Sequence, residues 1–170
     1  LKGISMIAEN LEKAYENGED REARRNMMIA STIGGMAFIS SNVGAVHAFA
    51  ETVGAWFDTP HGVANSLFLP YIMEFNIPAC PERFADIADA MGIEREESMS
   101  DEQYALKAVE YVKALNRKLN IPTIKEIKGI TEERFEAIAE RSANNVLSND
   151  NARKITKEDY LELLKKAYNE

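Results

Sequence analysis

His47 and His61 are the only histidines in this 170-residue chain, and both lie within the stretch GAVHAFAETVGAWFDTPHGVANSLFLP that runs from Gly44 to Pro70. Each sits among small and apolar neighbours. Neutral imidazole is the form a divalent metal takes as a ligand. Ligands on one helix face stand three or four residues apart, so a shared site needs two helices brought together. On spacing alone the pair reads first as two separate, satisfied side chains and only second as a shared metal site. Thr59 is the expected N-cap of the second helix, with Pro60 at its first position and His61 in the first turn. There the positive end of the helix dipole disfavours imidazolium. Glu51 follows His47 by four residues on the same helix face. Its open roles are metal ligand, partner orienting His47, general base, or solvated carboxylate.

Other chemistries find no support. Gly34-Gly35 lies inside a helical pattern with no strand before it, so there is no phosphate loop. Cys80 sits in a proline-flanked turn with no activating histidine, which leaves covalent catalysis without a nucleophile.

The elements that must position these residues read as helices throughout. Leu1, Ile4, Ile7, Leu11 and Ala14 recur at helical steps up to Asn17-Gly18. Asp20 caps a second helix. From Met27 it is apolar on nearly all sides (Met28, Ile29, Ile33, Met36, Phe38, Ile39), which predicts a buried helix. Gly34-Gly35 within it predicts close packing against another backbone. A small-residue helix from Gly44 carries His47, and residues 54–59 read as a loop. A helix then runs from Pro60 to about Asn76. Pro70 must remove the bond to the Ser66 carbonyl, so a kink or break is expected there. Trp56 and Phe57, just before His61, either cap a pocket or pin the loop by burial. Helices follow over residues 82–91, stopped by Gly92, and from a Ser100 cap to about Leu119. Residues 123–129 read as irregular or a single turn. Thr131 and Thr156 each cap a further helix, with a loop at 148–151 between them. With no period-two pattern, the fold class is all-α, a multi-helix bundle of seven or eight helices in one domain.

Hydrophobic residues at 45% and charged residues at 28% are ordinary for a globular protein. A formal charge of −8 argues against a nucleic-acid partner. The single cysteine cannot form an internal disulfide, so a cytoplasmic location is expected. No signal peptide or membrane-length apolar run is visible. The chain opens on Leu1 already inside a helix, which reads as a fragment.

The two-part pattern Gly44-Ala45-Val46-His47 and Asp58-Thr59-Pro60-His61-Gly62-Val63-Ala64-Asn65, then Leu69-Pro70, resembles the metal signature of the iron-containing (group III) alcohol dehydrogenases. The similarity continues to Asn151-Ala152-Arg153 and the last helix, so it covers nearly the whole chain. It implies that residues 1–170 are the C-terminal helical domain, incomplete at its N-terminal side, with the nucleotide-binding domain absent. In that family three histidines and one aspartate hold the metal; His47 and His61 match two of them, and the others lie upstream. The resemblance further implies Fe(II), with Zn(II) as the other candidate, and NAD or NADP bound mainly by the missing domain. A small alcohol or aldehyde is the implied substrate and a homo-oligomer the expected state. Phe38 and Leu147 match positions that line the substrate pocket. Many members carry a second histidine where Glu51 stands, a departure that leaves that histidine's proton relay uncarried. From its own place beside His47, Glu51 is the candidate catalytic group. The expected function is the C-terminal portion of a metal-dependent NAD(P)-linked alcohol dehydrogenase or aldehyde reductase, silent as residues 1–170 alone. The alternatives are a non-catalytic helical interaction module and a metal-dependent lyase or synthase on the same fold.

Overall fold

The computed structural model describes residues 1–170 as eight α-helices and four short 3-10 turns, with no strand. The helices are α1 (Lys2–Glu16), α2 (Arg21–Ser41), α3 (Ala45–Phe57), α4 (His61–Asn76), α5 (Pro81–Ala90), α6 (Asp101–Lys118), α7 (Phe135–Ala143) and α8 (Lys157–Asn169). The fold is all-α, as the sequence pattern predicts. No single helix is long and apolar enough to cross a membrane. The chain divides into two compact units, Leu1–Asn42 with Cys80–Tyr111, and Val43–Ala79 with Val112–Glu170.

In the first unit α1 packs on α2 at Gly3, where an added Cβ would meet Ile33 Cγ2 at 3.4 Å and the Ala30 carbonyl at 3.6 Å. The Asn26 amide donates to the buried Asn10 Oδ1 at 3.0 Å across the same pair. Asp20 caps α2 as expected, accepting from the Glu22 and Ala23 amides. Ser100 likewise caps α6, accepting from the Gln103 amide at 3.2 Å. Two expectations fail here. α2 is not buried: Met28 is 74% exposed, Met36 67% and Ile39 79%, while Ala23 and Ala30 face inward. An apolar circumference does not create a partner, and α1 covers only the stripe that the two alanines mark. Nor do Gly34-Gly35 meet another backbone; nothing lies within 4 Å of a Cβ placed at either. The close approach belongs to Gly3.

The second unit is built on aromatic packing. Phe49 of α3 stacks on Phe68 of α4 at 4.2 Å and takes the edge of Tyr160 of α8 at 4.6 Å. All three are fully buried. A chain of buried hydroxyls fixes α3 against α7: Ser142 Oγ donates to Thr52 Oγ1, which donates to the Ala48 carbonyl. Ser148 in turn donates to the Ser142 carbonyl and bonds Tyr160 Oη at 2.7 Å.

Local signals account for several boundaries and miss others. Thr156 and Asp159 form the capping box of α8, and Thr123 and Glu126 form another around the turn at 124–126. α3 runs on through Gly54 to Phe57 and stops at Asp58 in the left-handed region (φ 49°), so the expected loop shrinks to residues 58–60. Thr59 makes no cap; its hydroxyl approaches the Phe57 carbonyl at 3.5 Å, Pro60 stands at the N-cap, and His61 opens α4. Thr131 starts the turn that leads into α7 without a side-chain cap bond. Residues 146–150 form a 3-10 turn where a loop was expected.

The break expected at Pro70 is absent, since α4 is continuous from His61 to Asn76. Pro70 has no N–H to offer the Ser66 carbonyl. The Asn116 side-chain amide donates to that oxygen instead, at 2.7 Å. A tertiary bond replaces the local one, and the helix survives.

Candidate metal centre

His47 lies in the first turn of α3 and His61 is the first residue of α4. The Phe49–Phe68 stack packs the two helices together, and residues 58–60 return the chain between them. The imidazole rings stand 5.3 Å apart between centroids, tilted by 52°. Both line one open cavity of about 630 Å³ with largely apolar walls, including Leu69 and Ile72. The His47 pKa lies below the ordinary histidine value, first because burial penalises the charged ring and second because His61 is close. Glu51 pulls it the other way. The neutral ring is the state a metal ligand needs.

Asn65, one turn along α4 from His61, lines the same cavity. Its Nδ2 donates to the His61 carbonyl at 2.9 Å and lies 3.1 Å from His61 Nε2, a contact that a metal bound at that nitrogen would displace. Asn65 Oδ1 is buried with no hydrogen-bond partner. Two converging imidazoles and an unpaired buried oxygen are donors of the kind that Fe(II) and Zn(II) accept. No group of three or more His, Cys, Asp or Glu side chains gathers here or elsewhere in residues 1–170. The donor set therefore fits a metal as two ligands, not as a complete protein cage.

Glu51 is exposed and faces elsewhere. Its Oε2 accepts from Asn145 Nδ2 at 2.7 Å. It lines a second, more polar cavity of about 570 Å³ with Thr52, Trp56, Glu140, Arg141 and Asn144. Trp56 belongs to this second wall, under the Arg141 guanidinium at 5.7 Å. Phe57 is the residue that pins the turn; a Cβ on Gly129 would come within 3.2 Å of its ring.

The structure thus brings His47 and His61 together and sets Glu51 one helical turn aside. Phe38 lies in the last turn of α2, 52% exposed. Leu147, in the turn at 146–150, is half-buried and packs against the core of the second unit; the residues lining the histidine cavity do not include it. Sequence reading missed Asn65 as a site residue, although its spacing from His61 puts it on the same helix face. Asn151, which sequence reading gave only as part of the resemblance and not as a site residue, lines the cavity from a distant part of the chain.

Comparison with known proteins bears on what this arrangement serves. Residues 1–168 match the model of the C-terminal part of the Fe-containing alcohol dehydrogenase family. The chain is 38% identical over 171 residues to alcohol dehydrogenase 4 of Saccharomyces cerevisiae, covering 99% of this chain and 43% of that protein. It is 36% identical over 168 residues to 1,3-propanediol dehydrogenase of Citrobacter freundii, with the same coverage of 99% and 43%. The solved structure of an alcohol dehydrogenase from Oenococcus oeni superposes with a TM-score of 0.93 at 39% identity, over 98% of this chain and 43% of that one. The chain therefore spans less than half the length of the relatives it matches. With a match running through all eight helices and both histidine-bearing segments, the chain belongs to the iron-containing alcohol dehydrogenase family, in the part that forms its C-terminal helical region.

Proposed function

We propose that this chain supplies two histidine metal ligands and part of the substrate pocket of a metal-dependent, NAD(P)-linked alcohol dehydrogenase or aldehyde reductase. The observation that carries this reading is the convergence of His47 and His61, 5.3 Å apart, at one largely apolar cavity. His47 and His61 would hold Fe(II) or Zn(II), with the remaining ligands and the nucleotide site on the rest of the protein. When bound, the metal supplies Lewis-acid polarisation of an alcohol or aldehyde oxygen.

The chain's own residues have distinct tasks in this reading. The apolar wall that includes Leu69 and Ile72 takes the carbon skeleton of a small alcohol. Burial and the His61 neighbour keep His47 neutral, so no proton has to leave before it can donate a lone pair. Oxidation of a primary alcohol sends a hydride to the nicotinamide and a proton to a base. Glu51 is our candidate for the group that receives this proton: it lines a separate cavity, so the proton reaches it by way of water, and its carboxylate is exposed to solvent. Asn145 holds its carboxylate in place. Phe38 and Leu147 are proposed as substrate-pocket residues of the full-length protein on the family resemblance alone. Relatives named for alcohols and for 1,3-propanediol support small alcohols, diols and the matching aldehydes as the substrate class.

The test uses the full-length protein. His61→Ala is expected to lose most of the bound metal by elemental analysis and nearly all turnover by nicotinamide absorbance. Stoichiometric metal retained in that variant overturns the reading.

A further inference from the structure

Asn151 touches neither histidine, yet its side chain is bonded to both helices that carry them. Its Oδ1 accepts from the backbone amide of Ala45, the first residue of α3, at 3.3 Å. The same oxygen accepts from Asn76 Nδ2 at 3.1 Å, at the last residue of α4. Its Nδ2 donates to Asn76 Oδ1 at 2.7 Å and to the Arg153 carbonyl at 2.7 Å. Every hydrogen-bonding site of this amide is thus in use.

Gly44 makes the approach possible. A Cβ there would lie 3.1 Å from Asn151 Oδ1 and 3.3 Å from Asn151 Cα. Gly44 has φ −116°, so the requirement is space and not a left-handed backbone. His47 follows Ala45 by two residues, within the turn whose first amide Asn151 holds. Asn151, Asn76, Gly44 and Ala45 also line the cavity that contains the histidine pair.

We infer that Asn151 is a positioning residue for the histidine pair: its amide latches the first turn of α3 to the last turn of α4 and so sets where His47 stands relative to His61. A bond from one side chain to both helices constrains their mutual placement, which packing of either helix alone does not. Arg153 supplies the internal control. Its guanidinium donates to the Phe75 carbonyl at 3.1 Å and lies 4.1 Å over the Phe75 ring, so it secures the same end of α4 without a bond to α3. Removing Arg153 loosens one helix end; removing Asn151 frees the bonded ends of two.

The inference rests on the metal reading above for its consequence, so the experiment separates the two. In the full-length protein, Asn151→Ala, Gly44→Ala and Arg153→Ala are compared by Zn(II) affinity in chelator competition, by thermal midpoint, and by crystal structures of the metal-free forms. Asn151→Ala and Gly44→Ala are expected to weaken Zn(II) binding about 10-fold or more, with Arg153→Ala staying within about 2-fold, the difference between a group that orients a ligand and one that does not. In the metal-free Asn151→Ala and Gly44→Ala structures the His47–His61 separation should depart from 5.3 Å, whereas Arg153→Ala should keep it. Zn(II) affinity that falls in all three variants in proportion to their loss of thermal midpoint overturns the latch. So does an unchanged ring separation in Asn151→Ala. Should Asn151→Ala fail to fold, Gly44→Ala, which keeps every hydrogen-bonding group, decides by the same readouts. If the wild-type protein binds no Zn(II) at these histidines, the metal reading fails, and the metal-free ring separations still decide the latch.

Discussion

His47 and Glu51 stand one turn apart on α3, yet their side chains line different cavities. The histidine meets His61 and Asn65 of α4 in a largely apolar hollow. The carboxylate meets Asn145, beyond the end of α7, in a more polar one. A four-residue step on a helix makes two side chains neighbours, but the element packed across from each decides its surroundings. Here α4 lies against one turn of α3, and α7 with its following turn lies against the next. The two hollows remain coupled through charge. Burial and His61 hold the His47 pKa down while Glu51 opposes them. The arrangement places the half-buried imidazole and the exposed carboxylate in separate hollows.

The most damaging way to break that separation is to remove the packing both hollows share. Phe49 sits on α3 between His47 and Glu51, fully buried against Phe68 and Tyr160. Phe49→Ala is expected to lower unfolding stability by about 3–5 kcal/mol, the usual range for emptying a buried aromatic site. Chemical denaturation checks this, and a loss below about 1 kcal/mol would show that α3 is held by something other than this stack.

A narrower change should affect one hollow and spare the other. Glu51→Gln removes the charge that raises the His47 pKa, so the histidine becomes easier to keep neutral and metal content should stay at the wild-type level. Turnover of the full-length enzyme should fall about 100-fold, at the low end of what a general acid–base group contributes. Unchanged turnover with unchanged metal would reduce Glu51 to a solvated carboxylate. Loss of metal would instead place it among the ligands and collapse the distinction between the two hollows.

How far these features could be read in advance depended on the range of the interactions that set them. Asp20, Ser100 and the Thr156–Asp159 box were legible because a cap and the amides it satisfies lie within three residues of each other. The histidine pair was legible through two short motifs on neighbouring helices. The exposure of Met28, Met36 and Ile39 was not, because composition shows that a helix is apolar all round and says nothing about what covers it. The close backbone approach was assigned to Gly34-Gly35 and belongs to Gly3, since the need for a glycine is set by the partner helix. The bond lost at Pro70 was legible, but what keeps α4 unbroken there was not. The donor that satisfies Ser66 is Asn116, fifty residues away in the chain, and no pattern around the proline announces it. Glu51 shows the limit at the site itself, where helical spacing gave its neighbour and not its cavity.

The most direct measurement of the central claim is anomalous diffraction at the metal edge from crystals of the full-length protein. The predicted result is one peak lying about 2.0–2.1 Å from a ring nitrogen of His47 and the same distance from one of His61, the usual metal–imidazole bond length. A peak bonded to neither histidine, or to one of them alone, would contradict the account.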